Sequence, residues 1–270
     1  MNTGDKVNAE REEVLKAIDK LCLLDDNLMT LVFDKNIEAT ELLLNVILKR
    51  NDLKVLEVVA QREYKNPMSG GRSITIDIYA ADKEGKVYDI EVQRAPSGAD
   101  VHRARFHSSM IDVKMLKANQ KFKEIHDSYV IFITASDAMG AGQPLYHVNR
   151  IVEETGTYFG DGSHILYVNG SYKDDRDPVG RLIHDFRCVS SEDMFYPELA
   201  KQVKYFKETE GGQETMCQIF EELAEKRAME EKKASARRMI TRGKLTLEEI
   251  AEDTDLPLEE VKKLARVQMA

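Results

Sequence analysis

The sequence has few cysteines and no hydrophobic run long enough to cross a bilayer. Only Cys22, Cys188 and Cys217 occur in 270 residues, and this odd, widely spaced set fits neither a disulfide framework nor zinc-ligand spacing. A membrane helix needs about 20 mostly apolar residues. The first residues, MNTGDKVNAEREEV, are charged where a signal peptide would be apolar. We therefore expect a cytoplasmic protein with no membrane partner.

Nucleotide-binding signatures are also missing from the glycine-rich segment 137–172, which contains neither GxGxxG nor a Walker sequence. The net charge of -9 argues against binding to nucleic acid, because affinity for phosphate backbones comes largely from Lys and Arg. The charge is uneven, however. Residues 94–124 hold seven Lys or Arg against three Asp or Glu, a formal charge of +4, so this segment remains a candidate contact for DNA.

The most informative stretch is Arg72 to Arg94, RSITIDIYAADKEGKVYDIEVQR, in which apolar and polar residues alternate as in a β-hairpin. A three-residue loop over 83–85 would use Gly85 for the positive φ that closes the turn. Counting back from this loop gives three facing pairs: Asp82 and Lys86, Ile78 and Ile90, and Asp77 and Glu91.

Two carboxylates that face each other on a sheet repel and destabilise it. A divalent cation would remove this repulsion, and Mg²⁺ prefers carboxylate and phosphate oxygens. Such a site is the chemistry of metal-assisted phosphodiester hydrolysis. The alternative is an exposed hairpin whose polar face, Asp77 and Glu91 included, is simply solvated.

Asp77, followed after thirteen residues by Glu91-Val92-Gln93, resembles the motif of PD-(D/E)XK nucleases. More closely, it is similar to the bacterial Rpn family of recombination-promoting nucleases and transposases. The similarity to this family extends over about residues 25–210. It includes three further segments, LYHVNRIVEETGTYFGDGSHILYVNGSYK, GRLIHDFRC and YPELAKQVKYFKE. The resemblance implies an α/β fold, a PD-(D/E)XK (restriction-endonuclease-like) core with a mixed central sheet flanked by helices, to which we add a helical C-terminal region.

The same resemblance implies a metal site. Asp77 and Glu91 would hold Mg²⁺, for which Mn²⁺ can substitute, together with the backbone carbonyl of Val92. Gln93 stands where most of the superfamily carries lysine; its amide can orient a water but brings no positive charge. A further acid from the first core helix, Glu38 or Glu41, is the family's usual addition, although a solvated helix face explains both residues equally well.

The segment after the motif carries basic residues that we expect to contact DNA phosphates, with a solvated basic face as the alternative. These residues are Arg94, Arg103, Arg105, His107 and Lys114. The helix that holds most of them is predicted to begin at Ser97 or Asp100 and to reach about Ala118.

The pattern of the remaining chain predicts helix, strand, hairpin, helix and strand in succession. The expected helices cover 1–24 and 34–50, and the expected strands 53–62, 128–134, 145–152 and 164–169.

The C-terminal part reads as helical, with a long charged helix over 214–238 that could pair with a second copy of the chain. Thr246 and Glu249 have the spacing of a capping box, and two short helices follow as in a helix-turn-helix. Reading of DNA, dimerisation and docking all remain open for this tail. The expected domains are an N-terminal helix (1–25), the nuclease-like domain (26–210), a helical linker (211–240) and the tail (241–270).

The sequence therefore predicts a Mg²⁺-dependent DNA endonuclease associated with recombination or transposition. The alternative is a weak or inactive nuclease-fold protein that binds DNA or a protein partner.

Overall fold

The computed structural model describes residues 3–268. Within this range the chain forms two compact units, a larger one of residues 15–213 and a smaller one that joins residues 3–14 to 214–268. No helix in the described range is both long and apolar enough to span a membrane.

The helices and strands of residues 3–268 follow one another in this order: α1 (Thr3–Asp19), α2 (Asp26–Phe33), α3 (Ile37–Ile47), β1 (Val55–Tyr64), β2 (Ile74–Asp82), β3 (Val87–Gln93), α4 (Val101–Met115), β4 (Ser128–Thr134), β5 (Leu145–Val148), β6 (Ile151–Val152), β7 (Thr157–Tyr158), β8 (Ser163–Asn169), α5 (Pro178–Arg187), α6 (Pro197–Glu208), α7 (Glu210–Arg242), α8 (Leu247–Thr254) and α9 (Leu258–Gln268).

A six-stranded mixed sheet forms the centre of the larger unit, in the order β1-β2-β3-β4-β8-β5. β3, β4 and β8 are parallel neighbours, whereas the other neighbouring pairs are antiparallel. Parallel neighbours require a crossover connection, and α4 provides the one between β3 and β4. The mixed sheet, its flanking helices and the helical C-terminal region confirm the expected fold.

The hairpin of β2 and β3 has the predicted turn and register. The backbone N–H of Asp82 donates to the carbonyl of Lys86 over 3.1 Å, Gly85 has φ +80°, and Ile78 lies opposite Ile90. The Asp82 carboxylate also accepts the N–H of Lys86 at 2.9 Å. The turn is therefore stabilised by the Asp82 side chain as well as by the positive φ of Gly85.

Helix α4 covers one face of the sheet. The side chain of Asp100 accepts the N–H of His102 at 2.8 Å and so caps the start of this helix, as predicted. Ala104 and Ile111 of α4 pack with Phe132 of β4 in the core of this layer. Because side chains alternate along a strand, Asp89 and Glu91 lie on a common face, and both are fully buried. A solvated hairpin face is therefore excluded for these two acids.

Two further helices pack against the opposite end of the sheet. α2 and α3 contact β1, and α2 also contacts β2. The rings of Phe33 in α2 and Phe186 in α5 lie 6.0 Å apart. The loop between α1 and α2 is thereby brought to the sheet, which matters for the site described below.

The smaller unit contains the predicted tail. The capping box of Thr246 and Glu249 begins α8, and α9 follows a turn in which Asp255 has φ +51°. Four residues form its core: Ala236, Ile250, Leu256 and Val261. Helix α7 is 33 residues long, longer at both ends than the predicted 214–238.

Candidate metal centre

Asp77 and Glu91 meet where the hairpin ladder stops. The last strand pair is Ile78 opposite Ile90, one residue short of the two acids. Beyond it, side chains bond to the backbone: the Val92 N–H donates to Asp77 Oδ2 at 3.0 Å and the Asp77 N–H donates to Glu91 Oε1 at 3.2 Å. The two carboxyl groups therefore hold the open end of the hairpin together.

Gln93 and Arg103 complete the surroundings of Glu91. The guanidinium of Arg103 forms an ion pair with Glu91 Oε2, and the Gln93 side-chain amide donates to the same oxygen over 3.4 Å. Arg103 also donates to the Gly98 carbonyl at 3.2 Å. Arg103 was expected on the DNA-contacting surface; its guanidinium lies instead against Glu91, with the side chain about one third exposed.

Asp89 and His107 form a second layer that the sequence did not predict. His107 Nδ1 lies 2.8 Å from Asp89 Oδ2 and 3.8 Å from Glu91 Oε1, and each of the three residues offers a ligand atom within 4.8 Å of the others. His107 is only 3% exposed, so it is not on the surface where a phosphate contact was expected. Asp89 Oδ1 is buried and has no hydrogen-bond partner among the described residues.

Burial shifts the pKa values of the three acids Asp77, Asp89 and Glu91. It raises the pKa of Asp89 to about 7. Burial, reinforced by the charges of Asp89 and Asp77, raises the pKa of Glu91 to about 9. The pKa of Asp77 is also raised by burial, although the Val92 N–H opposes this, and burial lowers the pKa of His107. Each shift favours the neutral form because charge is costly in a poorly solvated site.

The donors present fit a divalent cation. Asp77, Asp89 and Glu91 offer hard carboxylate oxygens of the type that Mg²⁺ and Mn²⁺ bind, and His107 adds a nitrogen that Mn²⁺ accepts. The orphaned Asp89 Oδ1 and the raised carboxyl pKa values indicate that the described residues would not fully neutralise these acids in their ionised form, which a bound cation would stabilise. Asp77 Oδ1 is open to a further ligand, since within the described part of the chain its one hydrogen bond is a long one of 3.4 Å from the Gln61 side-chain amide.

A helix does bring acids to this site, but it is not the predicted one. Asp25 and Asp26, at the start of α2, border a cavity of about 390 Å³ together with Asp77, Val92 and Gln93. The charge of Asp26 contributes to the raised pKa of Asp77.

Glu38 and Glu41 border a different cavity. The Glu41 carboxylate is bonded to the Lys54 ammonium at 2.8 Å and the Val55 N–H at 3.0 Å. The structure therefore does not bring these two glutamates to the metal centre.

The predicted basic residues are dispersed. Arg94 pairs with Asp25 at 2.8 Å and donates to the Leu24 carbonyl at 3.1 Å, so it fastens the end of β3 to the segment before α2. Arg105 and Lys114 are exposed on α4, and Arg105 borders a larger cavity next to Asp77. Among the predicted phosphate contacts, Arg94, Arg105 and Lys114 keep the exposed setting that was expected, but Arg94 is already paired with Asp25.

Comparison with known proteins identifies the family. The family model described as PD-(D/E)XK nuclease family transposase matches residues 31–171. This span includes β1, the hairpin and α4, and with them Asp77, Asp89, Glu91 and His107. No curated protein and no solved structure matches the chain. Since the match covers more than half of the sequence and contains Asp77, Glu91 and Gln93 at the end of the hairpin, the chain belongs to the PD-(D/E)XK nuclease family transposases.

Proposed function

We propose that this chain is a divalent-metal-dependent DNA endonuclease that serves recombination or transposition. The observation that carries the proposal is the convergence of Asp77, Glu91 and Gln93 at the unpaired end of the hairpin, beside an open cavity. Membership of a nuclease family supports the reaction class, and the buried, incompletely neutralised carboxyl groups support the cation.

The residues that would hold the ion are Asp77, Glu91 and the backbone carbonyl of Val92, with Mg²⁺ as the ion and Mn²⁺ as a substitute. When bound, such an ion polarises the phosphate and makes a bound water more acidic. Asp89 and His107 help to position Glu91, since His107 Nδ1 lies 2.8 Å from Asp89 Oδ2 and 3.8 Å from Glu91 Oε1.

The side chains around the ion have separate tasks. The Gln93 amide has both a donor and an acceptor, so it can orient the attacking water for in-line displacement of the phosphate. Arg103 neutralises Glu91 and holds its carboxylate in one place through the additional bond to the Gly98 carbonyl. In-line attack requires such fixed positions, because orientation contributes much of the rate enhancement in reactions of this kind.

Two observations favour a second function. Gln93 brings no cation to the site, and Glu91 is already paired with Arg103. Both features suit a nuclease-fold protein that has lost catalysis and binds DNA or a protein partner instead.

Plasmid cleavage separates these functions. Wild type and Asp77→Asn are incubated with supercoiled DNA in Mg²⁺, Mn²⁺ or EDTA, and nicked and linear products are measured. Asn keeps the side-chain oxygen that accepts the Val92 N–H but removes the charge. Loss of several kcal/mol of transition-state stabilisation, at about 1.4 kcal/mol per tenfold in rate, predicts at least a hundredfold slower cleavage by Asp77→Asn and none in EDTA.

The matched control is Asp52→Asn, which removes an exposed carboxylate paired with Arg50 and should cleave like wild type. Thermal unfolding of both variants checks that they are folded. A wild type that leaves the plasmid intact in every metal supports the binding protein, and an Asp77→Asn variant with full activity overturns the assignment of this site.

A further inference from the structure

Asp77 also borders a larger cavity, of about 770 Å³, whose walls are rich in cations and hydroxyl groups. The segment before β2, the first residues of β2 and helix α4 supply these walls. Its polar lining includes Arg72, Ser73, Thr75 and Arg105.

Arg72 and Arg105 differ from the other arginines of the larger unit. Eight arginines there donate to a carboxylate or a backbone carbonyl, namely Arg50, Arg62, Arg94, Arg103, Arg150, Arg176, Arg181 and Arg187. Within the described residues, the side chains of Arg72 and Arg105 form no hydrogen bond and no ion pair. Arg72 and Arg105 line the same cavity.

The acids of this cavity do not neutralise them. Asp100 is engaged by His102, through the backbone N–H at 2.8 Å and the ring Nδ1 at 3.0 Å. Asp77 is engaged by the Val92 N–H. In a chain with a net charge of -9, an arginine has many carboxylates to pair with, so two free ones on one cavity indicate a site for an external anion.

The chemistry of the walls selects a phosphate. A guanidinium is planar and matches two phosphate oxygens at once, and the hydroxyl groups of Ser73 and Thr75 can donate to others. Phe106 adds an apolar wall, which suits the sugar or base attached to that phosphate.

We propose that Arg72 and Arg105 bind a backbone phosphate of the substrate strand, adjacent to the phosphodiester that Asp77 and Glu91 cleave. The inference rests on the proposed function, because it takes the substrate to be a DNA strand. It adds a phosphate subsite and assigns Arg72 to it.

Strand binding without cleavage tests the subsite. A short fluorescent DNA strand is titrated with wild type and with Arg72→Gln/Arg105→Gln in EDTA, and anisotropy is followed at several salt concentrations. We expect about a tenfold loss of affinity in the double variant. The slope of log affinity against log salt should fall by about 0.7 for each phosphate of the single strand that the protein no longer neutralises.

The matched control is Arg50→Gln/Arg176→Gln, which removes the same two charges from guanidinium groups already paired with Asp52 and Asp174. It should bind the strand like wild type, and all three proteins should unfold at similar temperatures. Equal affinity of Arg72→Gln/Arg105→Gln and the control overturns the subsite.

A separate arm distinguishes a strand from free phosphate, with inorganic phosphate as the probe and the unfolding midpoint as the readout. If phosphate stabilises wild type while the double variant still binds the strand normally, the cavity takes free phosphate and the strand assignment is overturned. The endonuclease is judged independently by plasmid cleavage. A protein that cleaves nothing but loses strand affinity in the double variant retains the subsite and disproves the nuclease.

Discussion

At the scale of single residues, the main feature is that Asp89 and Glu91 are two fully buried carboxyl groups on one face of a strand. Their folded-state pKa values, about 7 and about 9, lie above those of an unfolded chain. An acid with a raised folded pKa binds more protons when folded, so the stability it contributes is present at low pH and is lost as pH rises towards the folded pKa.

This sign gives a prediction for the metal-free protein between pH 7 and pH 9. His107 is neutral throughout this window because its pKa is lowered, so Glu91 dominates the change. In EDTA the free energy of unfolding should fall by about 1 to 3 kcal/mol over these two pH units, at about 1.4 kcal/mol per unit for one proton. Denaturant unfolding at each pH measures it.

Glu91→Gln should flatten this dependence, since Gln cannot ionise, whereas the exposed Glu57→Gln should keep the wild-type slope. Mn²⁺ should restore stability at pH 9 in wild type, because a ligand that binds only the folded state raises its stability. Equal slopes in wild type and Glu91→Gln would show that Glu91 does not titrate in this window.

The sequence was sufficient to predict that Asp77 and Glu91 lie side by side, but not that Asp89 and His107 lie beneath them. Asp77 and Glu91 were found because turn chemistry fixed the hairpin register, and both lie on one continuous stretch of chain. Asp89 and His107 come together only because α4 folds over β3, and the sequence between them does not specify that docking. The four-residue spacing of Arg103 and His107 places both on one side of a helix, which was the available signal.

At the scale of elements, prediction succeeded where local rules dominate. The hairpin, the Asp100 cap, β4 and the capping box of α8 each follow from a turn residue, a cap or a continuous apolar run. α2 has only eight residues, too few for a clear helical period, and it was missed. Asp25 and Asp26, at the start of this helix, were therefore not predicted as acids near the site. Glu38 and Glu41 of α3 were predicted instead.

A single lysine of α6 joins three segments of the larger unit. The Lys207 ammonium donates to the carbonyls of Asp19 at 2.7 Å and Leu21 at 3.0 Å, and also to that of Val189. The residue is buried, and burial lowers its pKa. These carbonyls lie at the end of α1, just beyond it and after α5, where helical hydrogen bonds are no longer available.

Replacement of Lys207 by Met should therefore destabilise the fold by about 3 kcal/mol, since hydrogen bonds to a charged group contribute about 1.5 to 3 kcal/mol and the carbonyls would be left without a donor. Lys204→Met, on the exposed side of the same helix, should change stability by no more than about 0.5 kcal/mol. Urea unfolding of the two variants compares them directly. Similar midpoints would mean that water replaces the ammonium at all three carbonyls.

At the scale of the whole molecule, the long helix α7 leaves several apolar side chains partly or fully exposed. Phe220 and Leu223 are only partly buried, and Met229 is 42% exposed. Apolar residues on a largely polar helix are typical of pairing with another helix. We propose that α7 pairs with α7 of a second copy.

Light scattering after size-exclusion chromatography should then give about twice the chain mass of 30.8 kDa. Leu223→Lys should give the single-chain mass, and Glu222→Lys, one residue away and exposed, should remain dimeric. Wild type that elutes at the mass of one chain at all concentrations excludes the dimer.

The bonds at the open end of the hairpin have an evolutionary consequence. Asp77 and Glu91 each accept a backbone N–H across the two strands, so selection for folding alone would retain a side-chain oxygen, as acid or amide, at both positions in a descendant without the proposed nuclease activity. Gln93 has no such backbone partner among its bonds with Glu91 and Arg103. Substitutions that accompany loss of the proposed activity should therefore vary most at Gln93, while positions 77 and 91 keep Asp or Glu or change only to Asn or Gln.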